Sequence, residues 1–210
     1  MTLIQRFGCS AVVLALTGVT AAFAQAPAAA PGGAPPPMPP RLSVTSPAWP
    51  DGGEVPMRNA MRGDNKSPAF EFHWMIGAAP AAAPEALQSY AIVFHDIENA
   101  TNKGTTDTLH WTVFNIPGTA KGLPEGLDGG DLPDGTRNGP GINARMGKPP
   151  SYFGPGPGPG APHHYVFDFY ALDTKLALPA STTREELLKA MDGHIISKAA
   201  YFGLARAPAR

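Results

Sequence analysis

Three stretches of this chain constrain its fold more than anything else in it. Residues 89–96 (SYAIVFHD), 109–116 (LHWTVFNI) and 164–172 (HYVFDFYAL) are dense in β-branched and aromatic side chains on both parities. A strand with one wet face alternates apolar and polar residues, whereas one that is apolar on both parities must be covered on both sides. Three such strands predict a central sheet between two layers. Residues 71–74 (EFHW) and 42–44 are shorter strand candidates, and Pro47, Pro56, Pro68, Pro80 and Pro84 punctuate the connections. The helical signal is confined to the end of the chain. Thr183-Arg184-Glu185-Glu186 has the form of a capping box, Leu187, Leu188 and Met191 follow at helical spacing, and Asp192-Gly193 is a stop. Residues 194–204 are expected to form a further helix. The expectation is a mainly β protein: a β-sandwich of antiparallel sheets with C-terminal helices.

Proline and glycine set the boundaries. Residues 25–40 hold seven prolines and two glycines, and residues 147–162 hold six and five. The first tract cannot bury a core and is expected to be an extended Pro/Ala-rich spacer. Ahead of it, Arg6, the uncharged run from Phe7 to Ala22, and Ala22-Phe23-Ala24 have the form of a secretory signal peptide over residues 1–24. That predicts a periplasmic or secreted protein with no transmembrane anchor after cleavage. The single cysteine, Cys9, lies within that leader, so a mature chain has no disulfide to rely on. The domain is then residues 41–210, long enough for one core. Sixteen Lys and Arg against 17 Asp and Glu, with no run of either sign, give no basic stripe on which nucleic acid would dock.

Polar residues cluster where the long strands begin or end. Asp96 closes the first run, with Glu98 just beyond, and His110 opens the second. If those strands pair antiparallel, Asp96 and His110 lie at one end of the sheet. His163 and Tyr165, two apart and therefore on one face, open the third run directly after the Gly/Pro-rich loop 154–162. Asp, two His and Tyr at one apolar rim, with Gly154, Gly156 and Gly158 allowing close backbone approach, suit a small anion such as phosphate, sulfate or carboxylate. Two other functions compete. His95, Asp96, His110, His163 and His164 are of a type that binds transition metals, but His95 and Asp96 alternate in facing, as do His163 and His164. An inhibitor acting on a protein partner would instead use exposed loops such as 118–138. There is no Gly-x-Ser-x-Gly for a serine hydrolase.

The ordered set of motifs resembles the phosphatidylethanolamine-binding protein family, in its bacterial Raf kinase inhibitor-like branch. Leu42-x-Val44-x-Ser46-Pro47-Ala48 and Asp51-Gly52-Gly53-x-x-Pro56 are similar to the family's opening. Asn65-Lys66-Ser67-Pro68, Asp96-Ile97-Glu98, His110-Trp111-x-Val113-x-Asn115-Ile116-Pro117 and Gly141-Ile142-Asn143 follow in family order. Tyr152-x-Gly154-Pro155-Gly156-Pro157 and His163-His164-Tyr165-Val166-Phe167 complete it. The resemblance spans residues 41–206. It implies a two-sheet sandwich and a non-catalytic pocket for a small anionic or phosphorylated ligand at Asp96, His110, Pro155, Pro157, His163 and Tyr165, with no cofactor. Ile97 stands where the family has Pro, and His164 where it has Arg.

Overall fold

A computed structural model describes residues 37–101 and 103–207. The leader expected at 1–24 and most of the spacer expected at 25–40 lie outside those residues. The element order is β1 (Arg41–Thr45), β2 (Phe70–Ile76), β3 (Ala79–Pro80), β4 (Ser89–Ala100), β5 (Asp107–Pro117), β6 (Gly122–Leu123), β7 (Arg137–Gly139), α1 (Ile142–Arg145), β8 (His163–Leu172), α2 (Arg184–Met191) and β9 (Ile195–Ala205). Two antiparallel sheets result. The smaller joins β1, β2 and β3, with β6 also on β2; the larger runs β7-β5-β4-β8-β9. The three apolar runs are thus the three inner strands of the larger sheet, as their two-sided hydrophobicity requires.

Between the sheets lies an aromatic core. Phe70 of β2 packs edge-on against Phe167 and Phe169 of β8 at 5.0 and 4.9 Å, and Phe72 meets Tyr90 of β4 at 4.6 Å. The other face of the larger sheet is covered by α2, with Leu187 and Met191 buried against Ala91, Val93, Phe114, Tyr170 and Leu172. Thr183 and Glu186 form the expected capping box, so α2 starts where the sequence indicates. Among the described residues no helix is long and apolar enough to cross a membrane.

One expectation fails. Residues 194–204 are not helical but belong to β9, which pairs with β8 from His163↔Ala205 to Leu172↔Ile195. The reason is the neighbour. Without β9, β8 would present a ten-residue row of unpaired backbone groups at the edge of a buried sheet. The period-two pattern is visible in the burial: Ser197, Tyr201, Gly203 and Ala205 are inside while Lys198, Ala200 and Phe202 are exposed.

Candidate functional site

Along β4 the side chains facing the smaller sheet are Tyr90, Ile92 and Phe94, and the next in that row is Asp96. Along β8 the same row reads Ala171, Phe169, Phe167, Tyr165 and His163. β4 and β8 pair in unbroken register from Ser89↔Leu172 to Asp96↔Tyr165, so the polar ends of both rows fall together. β5 reaches the same place by a different device. Its register with β4 shifts between Phe94↔Trp111 and His95↔Leu109, leaving His110 as an extra residue in a β-bulge. The bulge lets Leu109 pack towards α2 and Trp111 towards the inter-sheet core although both have the same parity, and it turns His110 into the space beside Phe94 and Tyr165.

The result is a cleft of about 360 Å³ at one end of the sandwich, whose lining includes Asp96, His110, Pro157, His163 and Tyr165. Asp96 is only 2% exposed. One of its carboxylate oxygens accepts from the backbone N–H of Glu98 at 3.1 Å, and the other is 2.8 Å from His163 Nδ1. His110 Nδ1 lies 2.9 Å from the Phe153 carbonyl oxygen, which makes that nitrogen the N–H donor and leaves Nε2 for a ligand. Burial lowers the His110 pKa, outweighing the upward pull of the Phe153 hydrogen bond and the Asp96 charge. Burial, and then the Asp96 charge, push the Tyr165 phenol far above its ordinary value, so it remains a protonated donor. Its oxygen accepts from the Gly156 N–H at 3.4 Å.

The Gly/Pro-rich tract that closes the cleft is pinned rather than loose. Tyr152 Oη donates to the Asn59 carbonyl at 2.8 Å, Gly154 N–H donates to Asn65 Oδ1 at 2.8 Å, and Met61 N–H donates to the Pro155 carbonyl at 2.9 Å. Gly154 is obligatory, because a Cβ there would overlap the Asn59 carbonyl oxygen.

Five of the six sequence-predicted site residues therefore line one cleft. Pro155 does not: it lines a separate hollow with Val55, Ala60 and Leu204, on the far side of the Gly156-Pro157 wall. The Pro155 carbonyl accepts from the Met61 N–H, so this residue serves the anchor of the loop. The metal set does not assemble either. His95 projects from the other face of the sheet, between Asp107 (2.5 Å) and Asp168 (3.2 Å), and His164 Nδ1 pairs with Glu98 at 2.7 Å. Among the described residues, Asp96, Glu98 and His163 bring ligand atoms within 4.8 Å of one another. Those atoms are already engaged, with both Glu98 oxygens taken by His164. Burial alone would raise the Glu98 pKa, but these His164 hydrogen bonds outweigh it and the net direction is down. Sequence reasoning did not find Met61, Asn99, Thr108, Ile142 and Phe153, which complete the lining. Ile142 and Phe153 fill variable positions inside the Gly141-Ile142-Asn143 and Tyr152-x-Gly154 motifs, and the others lie outside the quoted motifs.

A larger groove, about 510 Å³, lies towards the other end of β5 around Asn115, Arg137 and Leu176. Its polar groups satisfy one another. Asn115 Nδ2 donates to the Leu176 carbonyl, Leu176 N–H donates to Asn115 Oδ1, and Arg137 donates to the Leu178 carbonyl. Asp131, Arg137 and Lys175 also line it, but among the described residues it holds no histidine or tyrosine to match the Asp96, His110, His163 and Tyr165 cluster, so the smaller cleft is the better candidate site.

Comparison with known proteins agrees with this architecture. The model of the family described as phosphatidylethanolamine-binding protein matches residues 45–206. A UPF0098 protein of Methanothermobacter thermautotrophicus is 36% identical over 166 residues, covering 79% of this chain and 99% of the relative. The crystal structure of CT736 from Chlamydia trachomatis is similar with a TM-score of 0.66 at 28% identity, over 80% of this chain and 99% of that one. E. coli YbcL shares the fold, with a TM-score of 0.64 at 24% identity over 80% of this chain and 99% of its own. With its central strands, sandwich and terminal cleft in place, the chain belongs to the phosphatidylethanolamine-binding protein family.

Proposed function

We propose that this is an exported, non-catalytic binding protein whose cleft takes a small anion of the phosphate or phosphomonoester kind. The observation that carries the reading is the convergence of His110, His163 and Tyr165 on one cleft, with His163 oriented by a buried carboxylate. Tyr165 offers a hydroxyl donor and His110 a ring edge that becomes a donor when protonated. The absence of turnover is supported by the lining. Among the described residues it contains no Ser or Cys nucleophile, and the one Thr hydroxyl there, that of Thr108, donates to the Asn99 carbonyl.

The sign of the pH dependence follows from His110. Burial holds its pKa down in the free protein, and an anion placed against Nε2 would raise it. Binding then takes up a proton, and affinity is greatest below the free-state value and declines as pH rises through the bound-state value. Sulfate is the cleaner probe, since it does not itself titrate over pH 5 to pH 8. Calorimetry at constant ionic strength is expected to show sulfate and phosphate binding more tightly at pH 5 than at pH 8. His110→Ala should abolish that difference. Affinity that is flat, or that rises with pH, overturns the reading.

Export rests on the leader-like residues 1–24. N-terminal sequencing of the protein recovered from the periplasm or medium is expected to begin near Gln25; a chain still beginning at Met1 would count against it.

A further inference from the structure

The cleft lacks a feature that an anion site ordinarily has, since among the described residues no Arg or Lys lines it. Its formal charges are the buried Asp96 carboxylate and whatever proton the imidazoles carry. A permanent cation stands just outside. Ile142, the first residue of α1, lines the cleft, and Arg145 is three residues on, on the same face of that turn. The turn is properly helical, with Arg145 N–H donating to the Gly141 carbonyl and Met146 N–H to that of Ile142. Its base is fixed, because a Cβ on Gly141 would overlap the His110 carbonyl oxygen, so α1 sits directly against the bulge that presents His110.

Arg145 is exposed and, among the described residues, has no ion-pair partner. Its side chain lines an adjoining, largely apolar groove of about 220 Å³ with Thr101, Thr106, Leu109 and Thr183. Two acids line that groove: Asp107, already paired with Arg184, and the exposed Glu185, which forms no ion pair among the described residues. Arg145 is therefore a fully available guanidinium between the cleft and a second hollow, able to engage an oxyanion through two parallel N–H groups.

We infer that Arg145 is a specificity-determining residue that reads a second anionic group on the ligand, so that the preferred ligand class is a phosphorylated molecule with another phosphate or carboxylate a few atoms away. This rests on the anion-binding reading of the cleft. The first anion sits at His110, His163 and Tyr165, and the second crosses the Ile142 rim to Arg145. The Arg145 charge also adds, behind burial, to the lowering of the His110 pKa. A ligand that neutralises the guanidinium relieves that repulsion, so the two subsites assist each other.

The test is calorimetric titration of the wild-type chain, Arg145→Gln, Arg145→Lys and Lys148→Gln with inorganic phosphate, pyrophosphate and triphosphate at constant ionic strength. Lys148 is an equally exposed cation three residues further on that lines neither hollow, so it reports diffuse attraction alone. The wild type is expected to prefer one or both of the longer anions over phosphate by about tenfold or more, the worth of one added charge-assisted contact. Arg145→Gln should erase that preference while leaving phosphate affinity within about twofold. Arg145→Lys should retain part of the preference and Lys148→Gln nearly all of it. Phosphate binding with no preference, a preference that survives Arg145→Gln, or equal losses in Arg145→Gln and Lys148→Gln would each overturn the role of Arg145 while leaving the anion cleft standing. If the wild type binds none of the three, the cleft reading itself falls.

Discussion

Phe94→Ala is expected to destabilise the protein by about 3–5 kcal/mol, the usual cost of removing a large ring from a closed core. Phe94 is 0% exposed. It stacks on Phe167 at 3.9 Å and on Tyr152 at 5.5 Å, and it meets His110 edge-on at 5.3 Å. Those contacts come from β8, from the pinned loop and from the bulge of β5, three elements whose relative positions make the cleft. The neighbours cannot simply close in, because the three rings are held by separate backbone anchors, so most of the cavity persists. Chemical denaturation should show the loss as a lower midpoint with little change in slope. Anion affinity should fall as well, measured under conditions where the variant is still folded. Phe94→Leu is expected to recover much of the stability, since it restores apolar volume. A loss below about 1 kcal/mol for Phe94→Ala would mean that the site collapses freely and that Phe94 does not hold those three elements in place.

The second large effect lies on the other face of the sheet. His95 bridges Asp107 and Asp168; Arg184 also pairs with Asp107, and Lys198 approaches Asp168 at 3.1 Å. This network ties β4, β5, β8 and β9 to the first turn of α2. Burial alone would raise both carboxylates, but hydrogen bonds from Arg184 and His95 to Asp107, and from His95 and Lys198 to Asp168, outweigh it and both pKa values are lowered. A lowered folded-state value means the stabilisation is fully present above the ordinary aspartate value of 3.8 and is lost as pH falls through the folded values. Asp168→Asn is expected to cost on the order of 3 kcal/mol at pH 7, because it strips a mostly buried His95 of one partner. It should also flatten the acid limb of a melting-temperature profile relative to wild type. Parallel acid limbs in the two proteins would show that Asp168 does not carry the linkage.

What the sequence revealed, and what it hid, divides along physical lines. β4, β5 and β8 were legible because a strand covered on both faces leaves an unambiguous apolar record. The cleft was legible in outline because Asp96, Tyr165 and His163 stand where apolar rows end, and strict alternation then sorts them to one face. β9 was not legible as a strand. Residues such as Lys198, Ala199, Ala200 and Leu204 are good helix formers, and the demand that overrode them comes from the open edge of β8, more than twenty residues away. The bulge at His110 was equally hidden. Nothing local announces it, yet it allows both His110 and Trp111 to serve the inner side of the sheet. Pro155 and Pro157 looked equivalent as members of one motif, and only the path of the loop past Met61 separates them. Short pairings such as β3, β6 and β7 have too few residues to show a period.

The pinned loop has a consequence for how this protein behaves among copies of itself. In an extended chain, amides two residues apart point to the same side. Pro155, Pro157 and Pro159 therefore erase the donors along one side of the cleft's lip, leaving the glycines between them as donors. The amide of Gly156 is already committed to Tyr165, and that of Gly154, just ahead of Pro155, to Asn65. A lip built this way can sit open to water beside an aromatic core and still offer no template for intermolecular β-pairing, the usual hazard of an exposed extended segment. The entrance stays accessible to a ligand while remaining unattractive to a strand from another molecule.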